Sequence, residues 1–577
     1  MRILPWVAAC VLAASCWVPA GADPRADAVL IVNSQIGAYE DVERYIRPYL
    51  VHFGVPFTVL DVSSSPVGPE IGDYSLILIG HRELDPDHLY LDSEEQSHVA
   101  AAVANGSGLV NFDNDLSPDG STPRYPFVQD IFGFGYVPRR SDQNVVFTEE
   151  APAHYVTELH DPTQVIGTGF MTLAGVTLPP DVTPLAVVEF LREPLVAVTV
   201  HGLGRAVQWG SYEWMANAVK GPVRELDDLV WRGFVWAARK PFVLQGFPNF
   251  VTMRVDDSRG GFWWVEAANR FGLKPWLGLF YRDILDVEAQ KLSGLVHSGL
   301  ATATVHAKSE SGGVNGTFFY FDHYAGAGFS DAMVDANFDE AISWHDAHDV
   351  PIGQFVAAHW YEMGSNVFGR LRDWGVEFVA THMEPGLPYV ASPWLQLGPY
   401  RLFETGRADH FEGLVPVHYA DFLGVPGHPE LDGAFFDCVT EIRDDAGYEW
   451  YPDNDVAGTI GRGTRQTRRA LDGMFLATLF THEYFVQDIA PENWEAVLRG
   501  ITENLRPYDP VYATLDHACR YARAMVASDI AASTYDPATR VLSTTLDGGT
   551  DLATEFRAFI EPHRKPVAVT VDVPVFS

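Results

Sequence analysis

Val251-Thr-Met-Arg-Val-Asp256-Asp257-Ser-Arg-Gly260 is the stretch on which the reading of this chain turns. An apolar, β-rich run ends in two adjacent carboxylates, followed by glycines and a helix expected to start near Phe262. Consecutive strand residues point to opposite faces. At the carboxyl end of a barrel or open-sheet strand, however, the chain is already turning, so both side chains can reach one site. That edge is where α/β folds keep their chemistry. Two neighbouring carboxylates there suit a division of labour, one holding a metal and the other managing a proton. The competing reading is an Asx turn that caps the next helix.

Downstream, apolar runs alternate with helical periodicity. Strands are expected over 274–281, 300–306, 351–359, 376–382 and 434–441, while 475–483 reads as either a strand or a helix end. Asp257, His306, His359, His382 and His482 all fall at the exits of these runs. A lone histidine at a strand end is usually a hydrogen-bonded structural residue. Several at equivalent positions of successive βα units converge on one mouth. Upstream, continuous apolar strands at 28–33, 56–61, 74–80 and 108–112 alternate with helices, which indicates a doubly wound parallel sheet. After about Asp509 the pattern changes to alternating strands with a Gly548-Gly549 turn, expected to form a small antiparallel module. The fold class is therefore α/β in three parts: a doubly wound domain over 27–240, successive βα units over 243–509, for which family resemblance implies an incomplete (β/α) barrel, and a β-sandwich-like module over 510–577.

Composition narrows the partners. The 577 residues carry 39 basic and 76 acidic side chains, a net charge of −37. Such a surface repels nucleic acid and anionic membranes. Hydrophobic residues at 47% are ample for packed cores, so disorder is not the expectation. Residues 1–22 read as a secretory leader: Arg2, an apolar core from Val7 to Val18, and the small-residue site Ala20-Gly21-Ala22. A lipoprotein anchored through Cys16 is disfavoured by Ala13. Nothing else reaches 18 uninterrupted apolar residues, so no membrane span is expected. The mature chain is expected to be secreted or periplasmic. It keeps Cys438 and Cys519, as a disulfide or as two separate buried thiols. With so few cysteines, no thiolate metal cluster is available.

Residues 27–240 resemble the glutamine-amidotransferase-like, flavodoxin-like domains attached to carbohydrate-active enzymes. The likeness includes Gly202-Leu-Gly-Arg-Ala-Val-Gln-Trp-Gly210. In that family a nucleophilic cysteine follows the strand that here ends at Gly80. This chain has His81-Arg82-Glu83 instead, so the resemblance implies a domain that packs, orients or binds without amidotransferase chemistry. Residues 243–505 resemble the polysaccharide deacetylase (NodB-like) barrels. The resemblance implies Asp256 as general base, Asp257 and His306 as metal ligands, and His482 as general acid. The family's second metal histidine, four residues after the first, is Glu310 here. Its place could be taken by that carboxylate, by His323 from a longer loop, or by His359, which stands where the family has an arginine-proline segment.

Independently of any family, imidazole nitrogens with carboxylate oxygen and an open position describe a hydrolytic zinc-type site for a divalent metal. Asp256 would take a proton and His482 would give one, with Glu483 or Asp256 orienting the imidazole. The expected substrate is a polysaccharide or oligosaccharide bearing acetyl groups. Two rivals stand beside this reading. A glycosidase would pair Asp256 with Glu362 or Glu441 at about 5 to 10 Å without metal. A glycan-binding protein would carry the same site in decayed form. Aromatic residues such as Trp360 and Tyr361 suit either sugar stacking or core packing. The basic run Gly461-Arg-Gly-Thr-Arg-Gln-Thr-Arg-Arg469 suits an anionic glycan or pairing with neighbouring carboxylates.

Overall fold

The computed structural model describes residues 9–11, 24–216, 223–313, 316–381, 386, 420–438, 440–444, 447–561 and 568–570. The chain divides into two compact units, Met1–Asn217 with Glu225–Gly246 and Ala527–Ser577, and Ala218–Arg224 with Phe247–Val526. Both are α/β. Of the expected leader only Ala9–Val11 is described, paired antiparallel with Ala568–Thr570. Among the described residues no helix is long and apolar enough to cross a membrane.

The first unit is built on a nine-stranded sheet. Phe57–Asp61, Ala28–Val32, Leu76–Ile79, Gly108–Asn111 and Gly204–Trp209 run parallel, as their unbroken apolar sequences suggest. Pro194–His201, Thr183–Val188, Val145–Phe147 and Val165–Ile166 extend it antiparallel, so only half of the sheet matches the expected doubly wound parallel arrangement. The helix Ser93–Ala104 starts at a reciprocal cap in which Asp92 accepts from Glu95 N and Glu95 accepts from Asp92 N. Where the amidotransferase-like domains hold their nucleophile, this chain has structural bonds. His81 Nε2 accepts from Asn33 N at 2.9 Å, and Asp113 accepts from the main-chain N–H groups of Glu83 and Leu84.

The C-terminal strands do not form the separate module expected over 510–577. Arg557–Phe559 pairs with Phe242–Leu244. The hairpin Ser528–Asp536 and Val541–Gly548 buries Ile530, Tyr535 and Leu542 against Ala26 and Val243. Two strands with so little apolar surface cannot close a core alone, and the first unit supplies the rest. The helix Leu515–Val526 belongs to the second unit, where Asp516 accepts from Gln354 N and Phe355 N.

The second unit carries two arcs of strands. Thr302–Ala307, Pro275–Phe280, Phe250–Ser258 and Ala477–His482 form one parallel arc. Phe355–Ala357, Phe378–Ala380 and Phe436–Cys438 form a second, with Ala420–Phe422 antiparallel at its edge. The ambiguous run near 475–483 is thus a strand. Side chains stitch the seam between the arcs: Trp276 Nε1 and Thr304 Oγ1 donate to Phe355 O, and His306 Nδ1 donates to Ala357 O at 2.7 Å. His382 lies outside the described residues. Cys438 and Cys519 carry free thiols, both buried. Burial and a hydrogen bond that its S–H makes to Cys438 raise the Cys519 thiol well above its ordinary range.

Asp437 in the second arc is fully buried. One oxygen accepts from Thr381 N at 3.1 Å and, among the described residues, the other has no hydrogen-bond partner. Burial pushes this carboxyl well above the ordinary range. The folded chain therefore keeps a proton that the unfolded chain has already released, and stability falls as pH rises from the unfolded pKa toward the folded one. Asp437→Asn removes that slope. Its melting temperature is expected to exceed the parent's by a few degrees at about pH 8 and to match it at about pH 4, as read by paired thermal scans.

Candidate active site

The Phe250–Ser258 strand sets the geometry. Thr252, Arg254 and Asp256 alternate with Val251, Met253 and Val255, so Arg254 and Asp256 share a face. The strand is in register with Ala477–His482, which places Asp256 beside His482. Asp257 breaks the alternation, because its backbone is left-handed at φ 57° and the pairing with Pro275–Phe280 shifts between Val255 and Ser258. This bulge turns the second carboxylate into the same mouth as the first. Left-handed backbone at a non-glycine residue is strained and gathers at functional sites.

Asp257 Oδ1 lies 3.3 Å from His306 Nε2 and 3.4 Å from His359 Nδ1, and His359 Nδ1 is 3.1 Å from His306 Nε2. These three donor atoms all lie within 4.8 Å of one another. Asp257 Oδ1 is buried and, among the described residues, has only the long, poorly aligned contacts to these two rings, which leaves room for a further partner. A carboxylate oxygen facing two imidazole nitrogens fits the donor set of a divalent, zinc-type ion. The His306 tautomer also fits, since Nδ1–H is spent on Ala357 O and the Nε2 lone pair faces the site. His359 Nε2 accepts from Trp360 Nε1 at 2.9 Å. A neutral ring in that pose carries its proton on Nδ1, and would have to carry it on Nε2 to hold a cation through Nδ1.

Electrostatics set the charge states. Burial opposes ionisation of Asp257, but His306 and His359 outweigh it and hold the carboxyl far below the usual range. For Asp256, burial is again overcome, here by the Arg254 guanidinium with His306 and His482. Burial pulls His306 down, yet Asp256 and Asp257 raise it overall. Burial and the neighbouring His306 leave His359 below its ordinary value.

Arg254 is the residue that sequence reasoning missed. It is fully buried, donates to both Asp256 oxygens at 2.8 and 2.5 Å, and donates to Tyr361 Oη at 3.1 Å. The guanidinium sits 4.4 Å from the Phe480 ring centroid. Glu441 Oε1 is 4.0 Å from Arg254 and its other oxygen is bonded to Arg443. One cavity is lined by Asp256, His306, His359, Glu441, Glu449 and His482 together.

Several expected roles are corrected. His323 is not in the triad: its Nδ1 donates to the buried Glu362 at 2.8 Å. Glu310 is ion-paired with Arg259 and is not among the three donors that meet. Glu483 does not orient His482. It accepts from Arg259 N and Trp264 Nε1, bonds that fix the turn after Asp257. The carboxylate near His482 is Glu449, 3.5 Å from Nδ1, and only its place in a loop before Trp450 and Tyr451 hinted at this. The basic run belongs to the helix Val456–Asp472, where Arg462 bonds Asp453 and Tyr451 O and Arg468 bonds Tyr508.

No protein-family profile and no curated protein matches the chain. Among solved structures, a ThuA-like protein from Bacteroides uniformis is 17% identical, with a TM-score of 0.29, over 38% of this chain and 94% of its own. A family 4 carbohydrate esterase from Streptomyces lividans, solved in complex with acetate, is 9% identical, with a TM-score of 0.23, over 46% of this chain and 90% of its own. A β-galactosidase from Bacillus circulans is 11% identical, with a TM-score of 0.24, over 33% of this chain and 29% of its own. None of the three lends this chain a substrate.

Proposed function

We propose that this chain is an exported, metal-dependent carbohydrate-active hydrolase that removes N- or O-acetyl groups from a polysaccharide. The observation that carries the reading is the meeting of the Asp257, His306 and His359 donor atoms, two of whose residues line one cavity together with Asp256 and His482. Asp257, His306 and His359 would hold the cation, which supplies Lewis acidity toward a carbonyl and toward water. Asp256, kept ionised by Arg254, accepts the proton of the attacking water. His482 delivers a proton to the leaving amine or alcohol, with Glu449 oriented toward its Nδ1. The strained turn at Asp257, bonded through Arg259 N to Glu483, keeps the two aspartates in one mouth. Export is supported by the leader-like residues 1–22 alone.

The glycosidase alternative is less well supported. That chemistry needs one carboxyl protonated and another free, and the candidate partners are already engaged: Asp256 by Arg254, Glu441 by Arg443, Glu362 by His323. Acetate release from acetylated oligosaccharides, with and without chelator, tests the proposal. Release that chelation abolishes and zinc restores is the expected outcome. Asp256→Asn is expected to keep bound metal and lose about a thousandfold in turnover. Full activity in that variant, or cleavage of glycosidic bonds instead, overturns it.

A further inference from the structure

Exposed aromatic rings in the second unit are concentrated at the mouth. Among its described residues, the five exposed aromatics are Tyr324, Trp360, Phe422, Tyr448 and Tyr484. Tyr324, Trp360 and Tyr448 lie in segments that follow parallel strands, and Tyr484 lies in the short helix Glu483–Gln487 directly after Ala477–His482. They fall into two groups. Tyr324 (64% exposed) and Trp360 (42%) both pack on the His323 ring, with centroids at 5.4 and 4.9 Å, and Trp360 is bonded to His359. On the other side, Tyr448 (51%) leads through Tyr451 and Phe485 to Tyr484 (38%), whose ring stacks on His482 at 5.2 Å.

Topology sets the groups apart. Tyr324 follows Thr302–Ala307 and Tyr484 follows Ala477–His482, the two edges of the four-strand arc. Three strand spacings separate those edges by about 14 Å. One group ends on a candidate metal ligand and the other on the candidate acid, so the reacting position lies between them. Exposed apolar patches beside a polar site mark ligand grooves, and flat rings suit the C–H faces of pyranose sugars.

Charge narrows the ligand further. Arg443, which lines the cavity, is already bonded to Glu441, and Arg254, buried beside it, is bonded to the lining residue Asp256. Glu449 stands at the mouth beside His482. A uronate or sulfated chain would meet carboxylates there. We infer that the mouth binds a neutral glycan chain of several units running from Tyr324 and Trp360 across the site to Tyr484 and Tyr448, so that an internal residue, and not a free monosaccharide, is presented. The inference rests on the proposed hydrolase reading for what happens between the two groups, but binding is measurable without turnover.

The test is calorimetric binding to the full-length Asp256→Asn protein, using neutral acetylated oligosaccharides of one to six units from the N-acetylglucosamine, xylose and mannose series, with a uronate oligomer as the charged probe. Affinity is expected to rise about tenfold or more between one unit and four for at least one series. Tyr324→Ala and Tyr448→Ala, each exposed and outside the proposed machinery, are each expected to remove about fivefold of that gain. Single-unit binding should be unchanged. Affinity that is flat with length in every series, no binding at all, or preference for the uronate overturns the inference. Acetate release by the wild type is scored separately: its absence removes the deacetylase reading while the length dependence still decides the groove.

Discussion

Asp257→Ala and His306→Ala are each expected to purify with roughly a tenth or less of the divalent metal bound by the parent, and to release acetate at least about a thousandfold more slowly. Each removes one of the three donor atoms that, among the described residues, lie within 4.8 Å of one another. Two remaining ligands do not make a hydrolytic zinc-type site, which uses three protein ligands. His306→Ala also cuts the bond to Ala357 O that stitches the two strand arcs, so a melting curve belongs beside the metal analysis. Asp257→Ala removes a carboxylate that His306 and His359 hold ionised and that in turn raises His306, so its melting temperature is expected to fall as well. Metal content is therefore compared well below the melting temperature of either variant, where both remain folded. His323→Ala supplies the contrast. Its imidazole is spent on Glu362, and metal content should stay at the parental level. Full metal in Asp257→Ala would end the proposed centre.

Arg254→Met is expected to cost about 3–5 kcal/mol, the usual consequence of removing one partner from a buried ion pair. The guanidinium is fully buried, with Asp256 on one side and Glu441 on the other. Its loss leaves carboxylates in a low-dielectric interior with too few cations to balance them. Spread over a unit of this size, that is a fall of about 10 °C in melting temperature. The sign of the pH effect follows from the same contact. Asp256 is held below its unfolded pKa, so its ionised form contributes stability above that value and the contribution fades as pH falls through the folded pKa. Without Arg254 the carboxyl titrates higher, and the acid limb of the pH–rate profile moves up. The double variant Arg254→Met with Asp256→Asn should recover a large part of the lost stability while remaining inactive. An acid limb that does not move would mean that Asp256 is not the proton acceptor.

How much of this site could be read from the sequence depends on how local each cause is. The strand ending at Asp256-Asp257 was legible, because an apolar run closing on two carboxylates is a local pattern. What makes the second carboxylate useful, the left-handed turn at φ 57°, was not, since the neighbouring loops that fix it include Glu483, more than two hundred residues away. Arg254 was within reach of the alternation rule, which puts residues two apart on one face, yet an arginine in an apolar strand drew no attention. His306 and His359 followed from their strand exits. His323 did not belong with them, because only packing against Phe318 and Glu362 decides where a residue of a long loop points. The fate of the carboxyl end was illegible for a similar reason: the strand Arg557–Phe559 finds its partner at Phe242–Leu244, over three hundred residues earlier.

That last pairing has a practical side. The chain leaves its first unit at Gly246 and rejoins it at Ala527, so the barrel is an insertion inside another fold, not the last bead but one on a string. Stopping translation at the end of the barrel would strand Val243 and Ala26, whose cover comes from Ile530, Tyr535 and Leu542. A clean excision takes both cuts at once and leaves the flanking pieces to close on each other.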